Sequence, residues 1–147
     1  MKNTTTTSTT ILTLSTREGR MAANQGFCEE AQKQIEALGF TGCAIEMYKN
    51  RIEIGYGVEN RIVFGTKITV YAADEMFGQR REARINFASS STFTPYAEGE
   101  EFETRRMEYI ANALRVWGKL AQKVNQLCEA YTALHEKMSQ AAAEQSK

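Results

Sequence analysis

The stretch from Gly99 to about Ala143 constrains this chain more than any other. It contains no proline, and its one internal glycine is Gly118. With Ile110 at heptad position a, the seam reads Ile110, Ala113, Trp117, Leu120, Val124, Leu127, Tyr131, Leu134, Met138 and Ala141, apolar at every a and d place. That pattern predicts one long helix, about 99–143, with a partner along its length. At 1.5 Å per residue such a helix extends about 60 Å, more than a small sheet can cover. The far end therefore needs a second surface.

A second copy of the same helix is the simplest candidate, because symmetric homo-oligomers are common. The competing expectation is that residues 128–147 lie against an N-terminal helix of their own chain. Bulky Trp117 and Tyr131 at a positions disfavour a regular parallel dimer, where β-branched residues are preferred. The oligomer interface is accordingly expected on Trp117, Leu120, Val124, Leu127, Tyr131 and Leu134. The e positions Met107, Leu114, Ala121 and Cys128 broaden the stripe in the first half of the helix, and that wider face is expected to cover a sheet.

The chain before this helix changes period twice. Residues 1–10 form a threonine-rich, polar tract, expected to be a disordered tail. Ile11, Leu12 and Leu14 then lead into Ser15-Thr16-Arg17-Glu18, which matches a capping box with Ser15 as the cap. Met21, Cys28, Ala31, Ile35 and Leu38 recur at helical spacing as far as Gly39, placed to end the helix in a left-handed conformation. Alternation follows: Cys43, Ile45 and Met47, then a turn at Lys49-Asn50, then Ile52, Ile54 and Tyr56. A longer strand over 61–72 and a fourth through Ala83, Ile85 and Phe87 complete the pattern. Asp74 to Glu82 reads as a polar connection holding Gly78, and the serine- and threonine-rich stretch from Ala88 to Pro95 as a loop.

The predicted fold is α+β and two-layered: a four-stranded antiparallel meander between an N-terminal helix and the long C-terminal helix (α-β-β-β-β-α). Residues 11–147 form a single domain, with both helices on one sheet face. Composition agrees, at 42% hydrophobic and 24% charged residues. Lysines plus arginines equal aspartates plus glutamates at 18 each, so a generally basic, nucleic-acid-coating protein is excluded. Three separated cysteines and one histidine are too few for a Cys/His zinc site, and no metal or cofactor is expected. No apolar leader or membrane-length run occurs, so a cytoplasmic protein without membrane contact is expected.

Catalytic signatures are absent from the sequence: there is no GxSxG, P-loop, GxGxxG before a helix, or HExxH. His135, late in the long helix beside Glu136, reads as a surface or interface residue rather than a base. The glutamates at 98, 100, 101 and 103 suit the positive end of the helix dipole better than a metal. The remaining signal is spread over the second sheet face, where Tyr48, Arg51, Arg61, Lys67, Thr69, Tyr71, Arg84 and Asn86 collect, with Arg80 and Arg81 in the adjoining connection.

Ligand contact is expected at Arg51, Arg61, Lys67, Tyr71, Arg80, Arg81 and Arg84. Interleaved cations and rings serve nucleotides and single-stranded nucleic acid through phosphate contacts and stacking. They serve protein partners as hot spots equally well. Glu46 and Glu53 on the same face weigh toward an ordinary solvated surface. The leading expectation is a small, non-enzymatic, homo-oligomeric binding protein that occupies or sequesters a partner, as an inhibitor or adaptor does. A nucleotide or single-stranded nucleic-acid binder is the first alternative, and a structural subunit of a larger assembly the second.

Overall fold

The structure, a computed structural model, describes residues 14–89 and 100–145. The threonine-rich tract, Ile11 and Leu12, the loop toward Pro95, and Glu98 lie outside the described residues. Helix α1 spans Arg17–Glu36, strands β1 Cys43–Met47, β2 Arg51–Val58, β3 Arg61–Tyr71, β4 Asp74–Met76, β5 Gln79–Arg81 and β6 Arg84–Ser89, and helices α2 Glu100–Arg115 and α3 Trp117–Gln145. Strands β1, β2, β3 and β6 form one antiparallel sheet in that order, the expected meander. Strands β4 and β5 form a separate hairpin between β3 and β6.

Helix α1 starts one residue later than the capping box predicts. Thr16, in extended backbone, is the cap, and its hydroxyl accepts from the Gly19 N–H at 3.0 Å. Satisfying an orphan first-turn donor in this way fixes where the helix begins. Its end is where expected: Gly39 has φ +106°, its N–H donates to the Glu36 carbonyl, and a Cβ there would stand 2.7 Å from Asn112 Oδ1. The Asn112 amide donates to the Leu38 carbonyl, so α2 pins the end of α1.

The long helix is interrupted once, at Val116, beside the Trp117-Gly118 pair. The Val116 N–H still reaches the Asn112 carbonyl and the Val116 carbonyl accepts from Leu120, so the ladder continues on both sides of the break. At 29 residues α3 runs about 43 Å. Its surplus length beyond the sheet lies along α1. Phe27 packs on Tyr131 with ring centroids 5.3 Å apart, Lys123 donates to Gln34, and His135 meets Asn24.

One apolar cluster joins all three helices to one face of the sheet. Ala31 and Ile35 of α1, Ile45, Met47, Ile52, Ile54, Ile68 and Val70 of the strands, and Tyr109, Ala113, Leu120, Val124, Leu127 and Tyr131 of the last two helices are all buried in it. Two of the four e positions differ from expectation: Met107 is 57% exposed and Leu114 60%, so this side of α2 turns to solvent, whereas Cys128 of α3 is buried in the core. The break at Val116 separates the seam of α2 from that of α3, and α2 reaches the core through Tyr109 and Ala113, with Val116 packed beside them. No described helix is long and apolar enough to cross a membrane.

Candidate functional site

The outer sheet face is set by register. Arg51 stands opposite Tyr71, and Tyr71 opposite Arg84. Tyr48 closes the β1–β2 turn by donating its N–H to the Arg51 carbonyl. One row across all four strands therefore reads Tyr48, Arg51, Tyr71, Arg84. The Arg51 guanidinium lies 3.7 Å from the Tyr48 ring centroid and that of Arg84 lies 4.9 Å from Tyr71. Each guanidinium thus lies against a ring while its edge is engaged, Arg51 through Nε to Glu53 and Nη1 to Asn50, and Arg84 through Nη2 to Asp74.

The next row is acidic, with Glu46 opposite Glu53 and Thr69 opposite Asn86. The Glu53 side chain, 12% exposed, accepts from Lys67 Nζ at 2.9 Å and from Arg51 Nε at 3.3 Å. Desolvation pushes its carboxyl upward, but the two cations outweigh it and hold the group below its ordinary range. The Tyr48 hydroxyl donates to Glu46 at 2.9 Å, which raises its own pKa.

Asp74, at the base of the β4–β5 hairpin, takes Arg81 Nε at 2.7 Å and Arg81 Nη2 at 2.5 Å, with Arg84 at 3.5 Å. Those charge-assisted bonds keep the Asp74 carboxyl low and tie the hairpin to the row. Across this face Arg51 and Lys67 share Glu53, and Arg81 and Arg84 share Asp74, with Glu46 beside them. It is a mixed-charge surface whose cations are already paired.

The structure accordingly divides the residues expected to meet a ligand. Arg51, Tyr71 and Arg84 are adjacent, Lys67 joins them through Glu53, and Arg81 through Asp74. Arg61 stands exposed at the far end of β3, beside the Glu59-Asn60 turn. Arg80 turns to a groove of about 580 Å³ between the hairpin and α3, lined also by Lys49, Asn125, Glu129 and Glu136. The seam residues lie inside the chain's own core. Leu120 and Val124 are 0% exposed, Leu127 and Tyr131 are buried, and Trp117 packs on the same cluster. Leu134 is half-buried. A second copy placed on that seam would have to displace α1 and the sheet.

Sequence reasoning missed the hairpin itself. Met76 pairs with Gln79 across a two-residue turn, Phe77-Gly78, with φ +53° and +76°. Phe77 is 96% exposed and Met76 45%. Two central residues at positive φ mark a type I′ turn, which favours Asn, Asp and Gly, so a phenylalanine at its first place is an outlier. The Phe77-Gly78 dipeptide was the available signal.

The thiols are unlike activated nucleophiles. Burial pushes Cys43 up to about 12 and Cys128 up to about 11, whereas an activated thiol is shifted down. Burial and nearby Lys49 lower His135, whose ring nitrogen bonds Asn24. Among the described residues no group of three or more His, Cys, Asp or Glu could hold a metal ion. Compared with protein-family models, curated proteins and solved structures, the chain matches none.

Proposed function

We propose that the protein is a non-enzymatic binding module of the inhibitor or adaptor kind, and that it engages a protein partner through the outer face of its sheet. The Tyr48–Arg51–Tyr71–Arg84 row carries this reading. Tyrosine and arginine dominate protein hot spots because each offers a large, stiff contact area with polar edges. Nucleic-acid sites instead need cations in excess of local carboxylates, since affinity comes from displaced counterions. Here each cation of the face has an acidic partner within reach.

The test is purification of the tagged chain from its native cells beside an Arg51→Glu/Arg84→Glu variant, with absorbance at 260 nm recorded. A protein recovered with the wild type, lost with the variant and free of nucleic acid is the expected result. Recovery undiminished by the double substitution, or a nucleic-acid component, refutes the reading.

A second reading, self-association, is favoured by a different surface from the seam. Met107 and Leu114, two helical turns apart on α2, form an exposed apolar stripe. Light scattering on the wild type and on Met107→Lys/Leu114→Lys decides it. A wild-type mass above one chain that falls to one in the variant supports the stripe, and a single-chain mass in both removes it.

A further inference from the structure

The β4–β5 hairpin has a shape that the fold does not need. Its tip carries Phe77, 96% exposed, in a left-handed backbone conformation that asparagine or glycine would fill without strain. A phenylalanine there neither packs on its own chain nor eases the turn. Meanwhile the base of the hairpin is firmly held. Asp74 grips Arg81 through two bonds and Arg84 through a third, and the Ala73 N–H donates to Asn125 Oδ1 of α3 at 2.8 Å. A rigid arm presenting a bare ring loses little freedom when that ring is buried.

We propose that this hairpin is the anchor of the binding face, with Phe77 seated in an apolar, ring-sized pocket of a protein partner and the Tyr71–Arg84 pair lying against the pocket rim. The inference rests on the outer-face reading, since Asp74 joins the hairpin to that face.

Charge argues against an anionic lipid or phosphate as the occupant. Glu75 sits directly opposite Arg80 and Asp74 opposite Arg81, so the arm has no cationic surplus to draw it to anionic lipid or phosphate. Size excludes a second copy among the described residues. The apolar pocket beside Ile54, Phe87 and Tyr109 measures about 20 Å³, room for one water and not a phenyl ring. The two larger grooves, about 560 and 580 Å³, are open troughs far wider than a phenyl ring, and neither encloses one.

The experiment places p-benzoyl-phenylalanine at position 77 of the intact chain, or at exposed Val58 at the far end of the sheet, and irradiates the native cells. Any protein joined at position 77 is then purified and titrated calorimetrically against wild type, Phe77→Asn and Arg51→Glu/Arg84→Glu. Flotation with phosphatidylserine–phosphatidylcholine vesicles runs in parallel. The expected result is a heterologous adduct from position 77 and not from 58, with affinity about thirtyfold weaker for Phe77→Asn. Undiminished affinity of Phe77→Asn, an adduct only with the same chain, equal adducts from both positions, no adduct, or vesicle binding lost in Phe77→Asn each overturns the anchor. If a partner recovered with the wild-type chain is still lost on Arg51→Glu/Arg84→Glu, the outer-face reading survives that failure.

Discussion

Replacing Phe77 with asparagine should make the isolated protein more stable. The left-handed conformation costs an L-residue about 1–2 kcal/mol, and asparagine relieves much of that through local hydrogen bonding. Against the gain stands lost burial. With the side chain 96% exposed, only about 0.1 kcal/mol of apolar burial is forfeited. The net expectation is stabilisation by about 1 kcal/mol, which for a chain of this size raises Tm by about 3 °C. The gain should reach the global transition because Asp74–Arg84 and Ala73–Asn125 tie the hairpin to both sheet and helix. Urea unfolding followed by circular dichroism measures it, with an unchanged m-value confirming that the unfolded reference is the same. A destabilisation beyond about 0.5 kcal/mol, the ordinary range for a surface substitution, would refute the argument, because Phe77 would then have contacts in the folded chain.

Two further substitutions test the face and the core. Glu53→Gln removes the shared partner of Arg51 and Lys67 and should cost on the order of 1–2 kcal/mol at neutral pH. Because the folded-state pKa of Glu53 is lowered, its contribution is present above the unfolded pKa and lost as pH falls through the folded value. The gap between wild type and variant in urea titrations should therefore close in acid, and a gap that persists unchanged into acid contradicts the pairing. Leu120→Ala, at a fully buried position, should cost about 2–5 kcal/mol without changing the mass seen by light scattering. A changed mass at unchanged stability would return the seam to an intermolecular role.

What could be read in the sequence follows from how each signal arises. The four main strands were legible because one face of each is buried, which imposes the period of two on Ile45, Ile52, Ile54, Ile68, Val70 and Ile85. The short hairpin was not, because Asp74-Glu75-Met76 and Gln79-Arg80-Arg81 bury neither face and carry no alternation. The heptad seam revealed that α3 has a partner but not which one. A helix facing Ile35 of its own chain and a helix facing its twin demand the same apolar stripe. Val116-Trp117-Gly118, where the helix breaks, combines a β-branched residue, an aromatic and a glycine, and was readable only as weak helix propensity. The aromatic–cation row was visible residue by residue, whereas its pairing with Glu53 and Asp74 depends on register and on where the hairpin folds back.

The contact of α1 with the distal half of α3 also sets a clock. Asn24 and His135, bonded in the native fold, are 111 residues apart. A ribosome adding about 5–20 residues per second leaves roughly 5–20 s between making the one and making the other. The meander has neighbouring partners and can pair meanwhile, but the Phe27 end of α1 has to wait for Tyr131. Until the last helix is made, the Phe27 half of α1 and the sheet face that α3 buries are expected to lack their cover.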